Sequence, residues 1–200
     1  MESRHAISVK FMERRKLFLS GFGPFLEIKN NPSEILVKKL SEHFSCAHVI
    51  LPVLFEDSFS LLKSAVLNIQ PEILIMFGVA STRSKICLEK VGLNWVQSTS
   101  ADVGRKIPTT GKIKPAQDLA LMSNWSFEPV LRKLDSTQTA HIELSFSAGA
   151  YVCNDLYFRV LDDKTLNCEK LFIHIPPFEK IDLQLQFEII AKFVEMTLQD

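Results

Sequence analysis

One cysteine of the chain occupies a position that favours a nucleophile. Cys153 ends the segment SAGAYVC (147–153), which joins a β-branched and apolar run (139–145) to a segment with helical apolar spacing (151–161). Because Gly149 lets the backbone turn sharply between them, we expect Cys153 in the first turn of a helix. Free backbone N–H groups and the positive end of the helix dipole favour a thiolate there. Cys153 is therefore a candidate nucleophile; the alternative is a small buried apolar residue, as most single cysteines are.

His174 is the candidate general acid and base. It follows the apolar run at 171–173, so its side chain can point out of the end of a strand. A histidine within hydrogen-bond distance of a cysteine can accept the thiol proton and later return it to a leaving group. Pairing with Cys153 across neighbouring strand ends would give His174 this role, whereas a histidine considered alone is more often a satisfied core residue.

A third residue should orient the imidazole and stabilise its charged form. Glu89 is the best carboxylate for this role, because it lies among apolar neighbours in ICLEKVGLN (86–94). Burial would be costly for its charge without a partner. The alternative is an exposed charge at a strand edge, paired with Lys85 or Lys90.

Hydrophobic spacing predicts the elements that position these residues. Short apolar or β-branched runs predict strands at 16–20, 47–51, 72–77, 139–145 and 170–175. Helical spacing predicts helices that begin near Asn31 and Asp57 or span 126–134, 151–161 and 182–198. Residues 84–94 are expected to be extended, and residues 97–124 to form a long irregular excursion.

Strands that are continuously apolar and alternate with amphipathic helices are typical of layered α/β proteins. The sequence therefore predicts a three-layer α/β/α sandwich with a mostly parallel twisted sheet. We expect one domain over residues 16–200, preceded by a flexible leader at residues 1–15.

Ligands of open α/β sheets bind beyond the carboxyl ends of the strands. Four unusual segments follow predicted strands and should converge there: GFGPF (21–25), GVASTR (78–83), SAGAYVC (147–153) and His174 with its two prolines. The convergence predicts one crevice that contains Cys153 and His174.

The first of these segments brings two aromatic rings to the crevice. Phe22 and Phe25 could enclose a flat, weakly polar ligand, or they could be core aromatics in a chain with 15 Phe. The glycine pair in this turn does not form a dinucleotide fingerprint, because Pro24 follows at once and Leu26 occupies the position of the third glycine.

The composition narrows the classes of partner. Lys plus Arg equals Asp plus Glu at 23 each, so no net charge attracts nucleic acid or an anionic membrane. No apolar run has the length of a transmembrane helix, and the N-terminus lacks the apolar core of a secretory signal. The four cysteines have no C-x-x-C spacing, which argues against a zinc site. Free thiols in a reducing cytosol are expected, hence a cytoplasmic protein; the oligomeric state stays open.

Taken together, the chain from about Lys16 to its last helix resembles the pyroglutamyl-peptidase I (pyrrolidone-carboxylate peptidase) family of cysteine peptidases. The motifs that carry the resemblance are SGFGPF (20–25), NPS (31–33), LPV (51–53), LEKVGLN (88–94), SAGAYVCN (147–154) and FIHIPP (172–177). Their order and spacing both agree. The LEK and HIPP parts look closer to the animal members than to the bacterial ones.

The resemblance implies removal of an N-terminal pyroglutamyl residue from a peptide, through a thioester that water hydrolyses, without metal or organic cofactor. The triad that it implies consists of Cys153, His174 and Glu89. It also implies that Phe22 and Phe25 hold the pyroglutamyl ring. Val79 and Thr99 complete the set of predicted substrate-binding residues.

The chain also departs from the family pattern near the substrate. Thr99 stands ten residues after Glu89, where many members carry an arginine associated with the oxyanion region. Ser81 and Thr82 replace glycines that are common after the third strand. An active peptidase agrees with the retained triad. The altered loop would suit a weakened or inactive member that binds pyroglutamyl peptides or another protein.

Overall fold

The computed structural model describes residues 16–25, 29–123 and 125–199. The leader expected at residues 1–15, and Leu26, lie outside the described residues. The strands are β1 (Leu17–Phe22), β2 (Ala47–Leu51), β3 (Ile73–Val79), β4 (Ile86–Glu89), β5 (Val91–Leu93), β6 (Ala120–Met122), β7 (Ile142–Ser145) and β8 (Glu169–Ile175). The helices are α1 (Pro32–Phe44), α2 (Asp57–Ile69), α3 (Glu128–Lys133), α4 (Ser136–Thr139), α5 (Val152–Asp162) and α6 (Leu183–Thr197).

Six strands form one mixed sheet in the order β2-β1-β3-β8-β4-β7. The first four of these run parallel to one another, whereas β4 runs antiparallel to β8 and parallel to β7. The last strand in the sequence therefore lies in the middle of the sheet. The prediction of a mostly parallel sheet is confirmed, and its direction reverses at the boundary between β8 and β4.

Helices cover both faces of the sheet. On one face, α1, α3 and α6 pack in an apolar cluster with alternate residues of β1, β3 and β8. On the other face, α2 and α5 pack with the intervening residues of the same strands. Because both faces are buried, these strands are continuously apolar. The predicted three-layer α/β/α sandwich in a single domain is confirmed.

The start of α1 also fixes the turn after β1. The Asn31 side chain accepts a hydrogen bond from the backbone N–H of Ser33 at 3.0 Å, as an N-cap residue does. Asn31 Nδ2 donates to Gly23 O at 2.8 Å, and the N–H of Phe22 donates to Ser33 Oγ at 3.0 Å. One cap therefore holds both the helix and the turn that follows Phe22.

Several elements differ from the sequence-based expectation. The extended segment at 84–94 forms two strands, and the expected irregular excursion contains β6, which pairs antiparallel with β5. α2 begins near Asp57 as predicted, but Asp57 is its first helical residue rather than an N-cap and follows Glu56, whose φ is 65°. β3 extends beyond the strand predicted at 72–77 and ends at Val79. Local sequence patterns do not predict these strand pairings and element ends, because the pairings and ends depend on residues that are distant in the sequence.

Neither a membrane span nor a metal cluster is found in the described ranges. None of the helices there is long and apolar enough to cross a membrane. The same ranges contain no group of three His, Cys, Asp or Glu side chains that could hold a metal ion.

Candidate active site

Cys153 is the second residue of α5, in the first turn as expected. Its sulfur lies close against β3: a Cβ atom placed on Gly78 would lie only 2.9 Å from Cys153 Sγ and 3.0 Å from the ring of Phe172. Any side chain at residue 78 would therefore collide with the sulfur. Gly78 is needed for this close approach, not for ending the strand.

A hydrogen bond joins the two other predicted triad residues. His174 Nδ1 and Glu89 Oε1 are 2.8 Å apart, and both side chains are buried. A carboxylate only accepts hydrogen bonds, so the Nδ1–H donates and Nε2 is the nitrogen that can take up a proton. Glu89 and His174 are far apart in the sequence and are brought together by the sheet. β4 runs antiparallel beside β8, in a register that aligns Cys87 with His174 and Glu89 with Phe172.

The sheet register brings these residues to one face. Gly78 on β3 is the neighbour of His174 on β8, and adjacent strands lie roughly 4.8 Å apart. Since the sulfur of Cys153 sits over Gly78, it lies beside the strand position that carries the imidazole. The ring centroids of Phe172 and His174 are 4.9 Å apart, which adds an apolar wall below the imidazole.

The expected convergence of four strand ends holds only in part. The segments after β1, β3 and β8 meet at one edge, because these strands are parallel. β7 runs the opposite way, so Ser145 at its end aligns with Glu89 rather than with the edge of the sheet. Residues 146–151 then lead the chain to the start of α5, and the turn brings Cys153 to Gly78.

Burial controls the ionisation of Cys153. Burial raises the pKa of the Cys153 thiol to about 12, and the charge of Glu89 acts in the same direction, while a backbone hydrogen bond opposes them. The helix start alone therefore does not produce the thiolate that its position led us to expect. A thiol with so high a pKa holds its proton at neutral pH, so a nucleophilic role for Cys153 would need a base that takes up this proton.

Arg83 is a site residue that the sequence reasoning missed. Its Nη1 lies 3.3 Å from Glu89 Oε1 and donates to Ser145 Oγ at 2.8 Å. Its Nη2 donates to the backbone oxygen of Ser147 at 2.7 Å. A signal was present: an arginine at a strand end, six residues before a carboxylate predicted to be buried, can supply the counter-charge that such burial requires.

The two predicted slot phenylalanines differ in exposure. Phe22 is 3% exposed and belongs to the apolar cluster under α5, whereas Phe25 is only partly buried. The Phe25 ring centroid lies 5.6 Å from that of Tyr151, and Tyr151 packs edge-on against Phe55 at 5.2 Å. Tyr151, which the sequence reasoning did not select, therefore links the start of α5 to the turn after β1.

Thr99 lies on a loop that runs beside the start of α5. The N–H of Gln97 donates to Ala150 O at 2.9 Å, and the hydroxyl of Tyr151 donates to Ala101 O at 2.7 Å. The loop is thus fixed on both sides of Thr99, whose own side chain is exposed.

Val79 differs from the other predicted substrate contacts. Its side chain packs against the cluster under α1 and α6, on the opposite face of the sheet from Cys153. The reason is strand alternation, because Val79 follows Gly78 directly and successive side chains point to opposite faces. A contact from Val79 to a ligand beside Cys153 would have to come from its backbone.

Comparison with known proteins relates this arrangement to one family. The family model described as "Pyroglutamyl peptidase" matches residues 15–186. The pyrrolidone-carboxylate peptidases of Saccharolobus islandicus and Halalkalibacterium halodurans are each 32% identical; the matches cover 85% and 84% of this chain and 83% and 87% of theirs.

Solved structures give the same relation. The pyrrolidone carboxyl peptidase of Fervidobacterium islandicum superposes with a TM-score of 0.84 at 26% identity, over 93% of this chain and 99% of that one. Pyroglutamyl peptidase I of Bacillus amyloliquefaciens has the same fold, with a TM-score of 0.84 over 93% of this chain and 98% of the other at 24% identity.

Proposed function

The chain belongs to the pyroglutamyl peptidase family, and on that premise we propose that it removes N-terminal pyroglutamyl residues from peptides as a cysteine peptidase. Cys153 is the nucleophile, His174 the acid and base, and Glu89 the residue that orients His174. The observation that carries the proposal is the buried 2.8 Å hydrogen bond between His174 and Glu89, one strand away from the glycine that makes room for the Cys153 sulfur.

Acylation begins with proton transfer from the thiol to His174. As the proton moves from Cys153 Sγ to His174 Nε2, the sulfur attacks the carbonyl carbon that joins the pyroglutamyl residue to the next residue. A carbon–sulfur bond forms and the carbonyl electrons move onto oxygen. When the carbon–nitrogen bond breaks, the imidazolium protonates the departing amine, which leaves a pyroglutamyl thioester.

Deacylation uses the same imidazole in the opposite sense. His174 Nε2 takes a proton from water as the water oxygen attacks the thioester carbon. The carbon–sulfur bond then breaks, the proton passes to sulfur, and free pyroglutamate leaves. Glu89 keeps the proton of the imidazole on Nδ1 throughout, so that Nε2 faces the reacting atoms in both half-reactions.

The pyroglutamyl ring has no charged amine, so an apolar slot with few hydrogen bonds suits it. Phe22 and Phe25 supply aromatic surface next to the start of α5, and a flat lactam ring packs favourably between such rings. The Tyr151 ring, 5.6 Å from that of Phe25, supports an extension of this slot towards Cys153.

Hydrolysis of a fluorogenic pyroglutamyl amide by the purified protein tests the function. The matched control substrate is the corresponding prolyl amide, which keeps the five-membered ring but has a charged amine and no lactam carbonyl. We expect turnover of the pyroglutamyl amide alone. Competitive binding of pyroglutamyl peptides without any turnover would instead support the inactive family member, and equal turnover of both amides would contradict the proposed specificity.

The two phenylalanines are expected to respond differently to substitution. Phe25→Ala should raise KM for the pyroglutamyl amide about tenfold, since losing one aromatic contact costs on the order of 1.4 kcal/mol, with little change in the free energy of unfolding. Phe22→Ala should cost about 3–5 kcal/mol of stability, because the side chain is buried. Denaturant unfolding and steady-state kinetics measure the two effects.

Phe22→Leu is the control that preserves most of the buried volume. It should fold and still raise KM, since a branched aliphatic side chain cannot stack on the lactam. An unchanged KM in both Phe25→Ala and Phe22→Leu would put the slot elsewhere.

We further propose that Thr99 limits turnover. One missing oxyanion donor typically costs about a hundredfold to a thousandfold in kcat, although backbone N–H groups at the start of α5 can supply part of the stabilisation. Thr99→Arg should therefore raise kcat by at least about tenfold and change KM less. Ser100→Arg is the control for an added charge on the same loop.

Arg105 is the alternative candidate for the hydrogen-bond donor to the oxyanion. If it supplies the missing charge, Arg105→Ala should lower kcat by a hundredfold or so, while Thr99→Arg has no effect. A high parental kcat that neither substitution changes would contradict both possibilities and leave the backbone donors sufficient.

Two finer points of the proposal concern relatedness and location. The relatives described above are archaeal and bacterial, so the nearness to animal members that LEK and HIPP indicate stays a proposal. A cytoplasmic location is likewise proposed, because the four cysteines are free thiols, as is usual in a reducing compartment.

A further inference from the structure

We infer that Arg83 is a positioning residue for the proposed reaction: its guanidinium orients Glu89 and joins it to the turn that leads to Cys153. The inference rests on the proposed function, because it assigns Arg83 a role through Glu89 and His174. Arg83 precedes Glu89 by six residues in the sequence and is not one of the three proposed catalytic residues.

The contacts of Arg83 connect two parts of the site. On one side, Nη1 lies 3.3 Å from Glu89 Oε1, the same oxygen that accepts from His174. On the other side, Nη1 and Nη2 donate to Ser145 Oγ and Ser147 O, at the beginning of the turn that leads to α5. A planar guanidinium fixes such contacts as a fork, so the carboxylate and the turn cannot shift independently.

The turn itself is built on the two serines that Arg83 contacts. The N–H of Ser147 donates to Ser145 Oγ at 3.4 Å, and the N–H of Gly149 donates to Ser147 Oγ at 3.2 Å. Arg83 is also held from behind, because Lys180 Nζ donates to the backbone oxygens of Ser81 and Arg83. Arg83 is therefore held both at its backbone oxygen and at its guanidinium.

Arg83 also compensates the negative charge of the buried Glu89 carboxylate. Glu89 is fully buried, and its Oε2 has no hydrogen-bond partner within the described part of the chain. The contacts of the Glu89 carboxylate with His174 and with Arg83 are both made by Oε1. A buried carboxylate needs a partner charge, and the Arg83 side chain, 26% exposed, is the permanent one.

The electrostatic consequence has a definite sign. The charge of Glu89 raises the pKa of the Cys153 thiol. A positive charge that lies 3.3 Å from the same carboxylate should act in the opposite direction. Removing that positive charge makes every nearby group easier to protonate. The titratable groups that face Arg83 and Glu89 are Cys87, Cys153, Glu143, Tyr157 and His174. The pH profile of kcat/KM should therefore move to higher pH as a whole.

Three substitutions separate the charge of Arg83 from its shape. Arg83→Met removes both the charge and the hydrogen bonds, Arg83→Gln removes the charge but can still donate to Ser147 O, and Arg83→Lys keeps the charge without the fork. Arg132→Met, on the exposed side of α3, is the control for loss of one positive charge. Circular dichroism and denaturant unfolding identify variants that fold, and at least Arg83→Gln and Arg83→Lys should do so.

We expect Arg83→Met and Arg83→Gln to lower kcat about tenfold to a hundredfold, as small misplacements of catalytic groups do, with KM within about threefold of the parent. In both, the acidic limb of the pH profile should move up by roughly half a unit to one unit. Arg83→Lys should keep the parental limb while kcat stays reduced, and Arg132→Met should match the parent. Reduced activity with an unmoved limb in every folded variant would make Arg83 merely structural and overturn the inference.

A second readout does not depend on turnover. Alkylation of Cys153 by iodoacetamide at pH 9, followed by mass spectrometry of the peptide that contains it, reports the thiolate fraction. It should slow severalfold in Arg83→Met and Arg83→Gln, but not in Arg83→Lys. If the parent hydrolyses no pyroglutamyl amide, the proposed function fails, yet slower alkylation would still support the charge effect of Arg83; an unchanged rate would overturn it.

Discussion

Cys153→Ser is expected to lower hydrolysis of a pyroglutamyl amide by at least about a thousandfold while the protein stays folded. Oxygen and sulfur differ little in size, so the clearance over Gly78 still accommodates the side chain. The hydroxyl is a far weaker acid and a weaker nucleophile than the thiol, so a site arranged for a thiol should activate it much less. Kinetics and circular dichroism on the same preparation measure both effects.

Two other cysteine substitutions provide the controls. Cys46→Ser and Cys168→Ser should retain activity, because Cys46 packs with the cluster on the opposite face of the sheet and Cys168 precedes β8 at the end away from His174. EDTA should not change the rate, whereas iodoacetamide should abolish it. Parental activity in Cys153→Ser, or loss of activity to the chelator, would refute the thiol mechanism.

The ionisation of Cys153 adds a pH dependence. Because burial raises the pKa of the thiol to about 12, its proton is bound throughout the neutral range and is lost only at alkaline pH. The rate of iodoacetamide alkylation should therefore keep rising from pH 7 to pH 10, about tenfold per pH unit while the thiolate remains the minor form. A plateau already at pH 7 would show instead a stable ion pair between Cys153 and His174.

His174→Ala should abolish turnover to a similar extent, at least about a thousandfold, since thiol deprotonation and leaving-group protonation both use its Nε2. Glu89→Gln should be milder, because the amide oxygen can still accept from Nδ1 but stabilises the imidazolium less. His43→Ala, at the end of α1, is the control and should leave the rate unchanged. An unchanged rate in Glu89→Gln would exclude Glu89 from the triad.

The sequence alone predicted those parts of the site whose residues are close together along the chain better than those whose residues are far apart. Cys153 at a helix start follows from local spacing, as does a helix that begins near Asn31, and both are found. The hydrogen bond between Glu89 and His174 joins residues 85 positions apart. The apolar neighbours of Glu89 and the resemblance to the family both indicated this pair, but neither gives its geometry. Local reasoning could not have aligned them, because their alignment requires β8 to insert beside an antiparallel β4.

Other features escaped because they depend on packing rather than pattern. The raised pKa of Cys153 reflects desolvation of the thiol and the charge of Glu89, which together outweigh the backbone hydrogen bond to the thiol. Arg83 looked like an ordinary polar residue in GVASTR until the fold brought Glu89 and Ser147 to its guanidinium. The role of Gly78 is not visible in the sequence, since only the position of the Cys153 sulfur reveals the close approach.

The central position of β8 has a consequence for how the molecule is made. During synthesis from the N-terminus, β1 to β3 and the pair of β4 and β7 emerge before residues 169–175. Until β8 inserts, β3 and β4 each present an unpaired edge of the kind that invites aggregation. The same insertion delivers His174, so a nascent chain acquires its proposed acid–base group only in the step that closes the sheet, and we expect a chain without β8 not to cleave pyroglutamyl peptides.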